Sequence, residues 1–441
     1  MAQEARIDVE LTAQQEPSTE ELAKLAGSVK PGVWFATPPR AARAEEREPE
    51  IWELRSARPY RREVATGTAA VYYAKGRKRL ERPFIFADGF NYGPSDLPGL
   101  WEHFNTIYAK GKIGFLDQLL NAGIDVILVG FDLRHTYIQA NAGVVISAIQ
   151  RAISERHGDT PLIVGGVSMG GLITRYALAE MEHRKQDHQT ETYLSWDSPH
   201  NGAWIPLVLQ QMAYFFESIP TGQPGPKQAE LIRSPAAQQL LWAWVEDAKY
   251  SGPVATSSEM RKQFLAELEE YGQFPARPRK LGVANGTGNG IGLDLPAGEV
   301  VFDVQNALLT LTATARFQPD KGEHQPIGEM KLLGQVRRGN TSYVPALDDA
   351  PGGTLNSFGL IADALKAKIP EEYRNSCFVP SVSAVALDYD PVKWNVKLDE
   401  KIESLPAEKS LLDEFKCNIV NSEHSQVTEP LVEWVLERLV G

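Results

Sequence analysis

At 441 residues the chain is long enough to bury a sizeable core as one large domain or two, and its 43% hydrophobic and 23% charged content is ordinary for a globular protein. A formal net charge of −12, with no basic cluster, argues against nucleic acid as a partner, because phosphate contacts need clustered Lys and Arg. Only two cysteines, Cys377 and Cys417, are present, which excludes a disulfide framework or thiolate metal site and leaves room for one bridge.

No stretch approaches the ~20 apolar residues of a membrane span. The opening residues lack the basic start and apolar core of a signal peptide, which predicts a cytoplasmic protein unless it leaves by a leaderless route. Residues 1–60 are polar, with a charge-dense Arg40-to-Arg47 segment and scattered prolines, and read as an N-terminal arm. From Glu63 the pattern changes. Strands are expected over Glu63 to Ala74 and Arg82 to Asp88, the second ending in Asp88-Gly89-Phe90. A helix follows over Trp101 to Ala122, then a buried strand over Ile124 to Val129 and a helix over Asn141 to Arg156.

Pro161 to Val167 is another buried strand, and Leu172 to Met181 has helical apolar spacing. Between them Gly166 and Gly170 bracket Ser168 in the pattern Gly-x-Ser-x-Gly. A serine on such a strand-to-helix turn is pushed out above the sheet, and the helix aims its free N–H groups and positive dipole end at the same spot. This makes Ser168 the candidate nucleophile.

Glu191 to Trp196 is the next strand, ending in Asp197-Ser198-Pro199-His200-Asn201-Gly202. A long segment with apolar clusters at Trp204 to Phe216 and Leu240 to Val245 reads as a helical lid insertion over 204–276. The sheet resumes at Lys280 to Ala284. Glu299 to Gln305, Leu308 to Arg316 and Glu329 to Val336 then look like antiparallel strands of a β-rich insertion over 291–346. A helix near Leu355 to Ala367, a last strand at Cys417 to Val420 and a closing helix from Glu429 to Leu439 complete the chain. Strands alternating with helices imply a doubly wound, mainly parallel sheet in one domain over 61–441.

A serine hydroxyl needs a base, and His424, in the loop between the last strand and the last helix, is the candidate. His200 competes, although a Pro-His-x-Gly turn beside the nucleophile strand more often shapes a pocket wall. With Gly89 and Trp204 it is assigned here to substrate binding. Two N–H donors are expected for an oxyanion: Met169, directly after the serine, and Phe90, with Gly89 letting the backbone come close. The carboxylate that orients His424 should lie at a strand end between Ser168 and His424. Asp197 falls one strand too early for the usual order. Asp348 is favoured, with Asp349 and Asp388 left open. No metal-binding spacing such as His-Glu-x-x-His occurs, and no metal or other cofactor is expected.

Several segments together carry a resemblance: Gly-Val-Ser-Met-Gly-Gly-Leu, Asp-Ser-Pro-His-Asn-Gly-Ala, Tyr137 to Ala142, Asp-Asp-Ala-Pro-Gly-Gly and Phe-Val-Pro-Ser-Val-Ser-Ala. From about Arg82 onward the chain resembles a group of bacterial lipase-like α/β-hydrolases. The resemblance implies an α/β-hydrolase fold, serine esterase or lipase activity on a small-molecule or lipid ester, no cofactor, and Ser168 and His424 as nucleophile and base. Two departures stand out. Ser376-Cys377-Phe378-Val379-Pro380 stands where better-known lipases often carry the acid in Asp-Gly-x-Val-Pro, and Asp88-Gly89 stands where His-Gly is common. An acyltransferase or thioesterase on the same fold, or a non-catalytic binding protein, is the alternative reading.

Overall fold

The computed structural model describes residues 48–217, 229–246, 256–306, 311–332 and 335–441. Most of the expected N-terminal arm, including Arg40 to Arg47, lies outside the described residues, as do parts of the expected lid.

The frame is one eight-stranded sheet. Its strands, in chain order, are β1 (Glu50–Arg55), β2 (Thr66–Tyr72), β3 (Pro83–Ala87), β4 (Asp125–Phe131), β5 (Leu162–Val167), β6 (Thr190–Trp196), β7 (Arg279–Thr287) and, late in the chain, β14 (Glu414–Asn418). They lie in the order β1-β2-β4-β3-β5-β6-β7-β14. From β4 to β14 all neighbours are parallel, while β2 runs antiparallel to both β4 and β1. The central strands β3, β4 and β5 are buried along their whole length because helices cover both faces. Helices Ile138–Glu155, Met169–His183 and Glu259–Glu270 supply one apolar layer. Helices Leu97–Phe104, Phe115–Asn121 and Glu429–Val440 supply the other, where Phe104 meets Phe86 and Trp196 edge-on.

Three local expectations are corrected. Residues 50–55, assigned to the arm by their polarity, form β1: Glu-Ile-Trp-Glu-Leu-Arg alternates, and Trp52 and Leu54 turn inward. The single helix expected over Trp101 to Ala122 is two, broken over 105–114, where Gly111 takes a positive φ of 80° and Gly114 packs on the Asn105 carbonyl. The last strand ends at Asn418, leaving Ile419 and Val420 exposed.

A second apolar core lies beyond the sheet. Helix Leu207–Glu217 packs on a four-stranded antiparallel sheet of β8 (Val300–Asn306), β9 (Leu311–Arg316), β10 (Gln325–Leu332) and β11 (Gln335–Thr341). Sequence patterning expected three strands here. The stretch read as the third, Glu329 to Val336, covers the end of β10 and the start of β11. The pair β12 (Gly352–Leu355) and β13 (Ser376–Pro380) completes the architecture. Both cysteines are free and buried. No helix among the described residues is long and apolar enough to cross a membrane.

Candidate active site

Three loops meet at the carboxyl ends of the parallel strands. The first follows β5. Ser168 has φ 55° and ψ −127°, a left-handed conformation that costs a side-chain-bearing residue ~1–3 kcal/mol, and helix Met169–His183 starts at the next residue. The glycines around it answer to crowding. A Cβ on Gly166 would lie 2.4 Å from the Gly170 carbonyl carbon, and one on Gly170 would lie 2.2 Å from the Ala87 carbonyl oxygen. The elbow therefore presses against the end of β3, where Gly89 sits with room for a Cβ only 3.1 Å from that of Ser168.

The second loop follows β6. The Asp197 backbone N–H donates to the Val283 carbonyl, and the residue then turns into positive φ, 47°. Its carboxylate is fully buried. One oxygen accepts the Asn285 backbone N–H at 2.9 Å, and the other lies 2.7 Å from His424 Nδ1.

The third loop, after β14, carries His424. It is pinned back across β7: Ser422 N–H donates to the Asn285 carbonyl, Asn285 Nδ2 donates to Ser422 Oγ, and β12 clasps the loop through Thr354 N–H to the Ser422 carbonyl and His424 N–H to the Thr354 carbonyl. Crossing β7 is what brings His424 to the end of β6. Phe378 packs edge-on against the imidazole, ring centroids 4.8 Å apart. With Nδ1 held by Asp197, Nε2 is buried and has no hydrogen-bond partner among the described residues. Such an imidazole is set up to take a proton at Nε2 and to have its positive charge balanced at Nδ1.

The expected acid, Asp348, is elsewhere. Its buried carboxylate accepts the Trp204 indole N–H at 2.7 Å and the Gln318 backbone N–H at 2.6 Å, and burial pushes its pKa up to about 6. It fastens the second core, and no hydrogen bond joins it to His424. Asp349 likewise holds the backbone N–H groups of Leu293 and Leu295, and the Asp388 backbone N–H pairs with the Lys409 carbonyl. The carboxylate that reaches His424 is Asp197, set aside on chain order.

Two residues expected to touch substrate are also turned inward. Trp204 is fully buried on Asp348. His200, 1% exposed, has its Nε2 2.8 Å from Ser195 Oγ and its Nδ1 3.4 Å from Arg175, so both ring nitrogens are engaged below the strand end. Burial, and then the Arg175 charge, hold its pKa well below the usual imidazole value, so it is neutral. Met169 and Phe90 flank Ser168 from the helix start and the β3 turn, with Phe90 bridging the second core and the helical layer. Cys377, on β13, is a buried thiol kept protonated by burial and by the neighbouring charge of Asp197.

A parallel sheet with its serine on a left-handed strand-to-helix turn, and a carboxylate and a histidine from later strand ends, decides the architecture. The fold is an α/β-hydrolase fold. No protein-family model and no curated protein sequence matches the chain. Solved structures similar to it include the lipase BlEst2 of Bacillus licheniformis in its propeptide form, at 15% identity over 49% of this chain and 38% of that one, with a TM-score of 0.31. The thermostable carboxylesterase EstE1, cloned from a metagenomic library, is 13% identical over 60% of this chain and 74% of its own, TM-score 0.30. Brefeldin A esterase, a bacterial homologue of human hormone-sensitive lipase, is 12% identical over 60% and 77%, TM-score 0.27. The matched part is thus well under two thirds of the first of these chains.

Proposed function

We propose that the chain is a serine-dependent carboxylic-ester hydrolase working through an acyl-enzyme. The observation that carries this reading is the buried Asp197–His424 pair, 2.7 Å apart, whose free Nε2 lies at the same end of the sheet as the strained Ser168. Ser168 Oγ attacks the ester carbonyl carbon while His424 Nε2 takes its proton. Asp197 holds the imidazole tautomer and balances the imidazolium. The N–H groups of Met169 and Phe90 receive the oxyanion, each donor contributing ~3 kcal/mol. When the tetrahedral intermediate collapses, the carbon–oxygen bond to the alcohol breaks and His424 returns the proton to that alcohol. Water then attacks the acyl-enzyme through the same base and restores the serine.

Gly89 allows the oxyanion turn to approach Ser168, since any side chain there would crowd the nucleophile. A lipophilic acyl group suits the aromatic surroundings, with Phe378 against His424 and Phe90 on the second core. The helical insertion over 204–276 is read as the lid over this site.

Hydrolysis of p-nitrophenyl esters from acetate to palmitate, together with labelling by a fluorophosphonate, tests the proposal. Turnover that peaks at medium or long chains, with covalent labelling at Ser168, is the expected result. Ser168→Ala and His424→Ala are expected to lose roughly 10⁴-fold or more in kcat. A folded protein that neither turns over any ester nor takes the label would overturn it.

A further inference from the structure

An aspartate is an awkward residue for the oxyanion turn. Asp88 closes β3, its N–H donating to the Val129 carbonyl, and its carboxylate is buried within two residues of the proposed donor Phe90. One carboxylate oxygen accepts the Gly89 backbone N–H at 2.8 Å, which directs that N–H away from substrate and leaves Phe90 as the donor of the turn. Gly89 itself lies against the Ser168 side chain. A bare negative charge so near a developing oxyanion raises the barrier, because both charges sit in a medium that screens poorly.

Arg134, from the loop after β4, answers this. Arg134 is buried, 6% exposed, and its guanidinium reaches the other Asp88 carboxylate oxygen at 3.4 Å. It also donates to the Tyr92 carbonyl at 3.1 Å and the Gly93 carbonyl at 3.3 Å, so one side chain spans the turn from its first residue to its sixth. The Tyr92 ring stacks on His135, the next residue, at 5.0 Å and 8°.

Building on the esterase reading, we propose that Arg134 is a positioning residue whose charge neutralises Asp88 and thereby makes an Asp-Gly turn workable as an oxyanion cradle. Arg134 acts through Asp88 and the turn.

Charge rescue tests this. Arg134→Gln keeps a donor to the turn carbonyls but leaves Asp88 bare, and kcat is expected to fall on the order of 100-fold with KM within about threefold. The double variant Asp88→Asn/Arg134→Gln removes the stranded charge and is expected to recover at least 10-fold of that loss. Affinity for a boronic acid, which carries the oxyanion's charge, should follow kcat/KM across the series. A double variant no faster than Arg134→Gln, or an Arg134→Gln enzyme as fast as wild type, overturns the proposal. Should Arg134→Gln fail to fold, Arg134→Lys decides: it keeps the positive charge beside Asp88 and is expected to retain kcat within about 10-fold of wild type, and a 100-fold loss overturns the proposal. Wild type and Ser168→Ala run alongside separate the two readings. Without Ser168-dependent turnover in wild type, the esterase assignment itself fails, whatever Arg134 does.

Discussion

Three of the buried aspartates, Asp88, Asp197 and Asp348, do three different things, and the partner of each carboxylate says which. Asp88 meets a guanidinium, Asp348 an indole and a backbone N–H, and Asp197 the imidazole of His424. Asp197→Asn and Asp348→Asn should therefore separate cleanly. The first leaves the fold intact and drops kcat roughly 10⁴-fold, because an amide offers Nδ1 the wrong partner. The second leaves one of two buried N–H donors unpaired and costs ~1–3 kcal/mol of stability, with kcat per folded molecule unchanged. Urea midpoints and kcat measured on the same preparations check both, and a slow but stable Asp348→Asn enzyme would refute the assignment. Sequence points to Ser168 and His424 because each is marked locally, one by a glycine-bracketed turn and the other by a loop between the last strand and helix. Asp197 carries a local mark too, at the end of a buried strand beside the nucleophile strand. It was passed over because nothing in the sequence says that the His424 loop folds back over β7.

That fold-back is a property of elements, and its seam is narrow. β12 clasps the His424 loop through Thr354, and the preceding residue, Gly353, packs against the acid itself. A Cβ there would stand 2.1 Å from Asp197 Oδ2 and 3.3 Å from His424 Cα. Gly353→Ala is expected to drive the carboxylate off Nδ1, lowering kcat at least 10-fold, with a stability cost of ~1–3 kcal/mol from overpacking. Unchanged kcat in that variant would show that the clasp has slack. Periodicity gave the buried strands well, since apolar runs such as Asp125–Phe131 leave little choice. It failed where two strands share one apolar stretch across a hairpin, as at Glu329 to Val336, and where Gly111 and Gly114 break a helix whose flanks are both apolar. In those places turn geometry outweighs side-chain pattern.

At the scale of the whole molecule, two buried titratable groups pull the pH dependence of stability in opposite directions. His200 is held well below its ordinary value. Its contribution is complete above about pH 6.5 and is lost as pH falls, by ~1.4 kcal/mol per pH unit, because only the unfolded chain takes up that proton. Asp348 is raised from 3.8 to about 6, so the folded state keeps its proton longer. Its contribution is complete below about pH 4 and is lost as pH rises through about 6. Between pH 4 and 6 the two slopes offset one another. Asp348→Asn should expose the His200 slope, making the protein more acid-sensitive than wild type by ~1.4 kcal/mol per unit across that window. Urea unfolding at pH 4.5, 5.5 and 6.5 checks this, and parallel wild-type and variant curves would count against it.

The sequence separation of 227 between Asp197 and His424 also imposes an order in time. Contacts that distant form late, after loops of that length have closed. A chain growing from its N-terminus holds Ser168 and Asp197 well before His424 is made. On the proposed reading, activity therefore waits until the last strand pairs with β7 and carries His424 back over it.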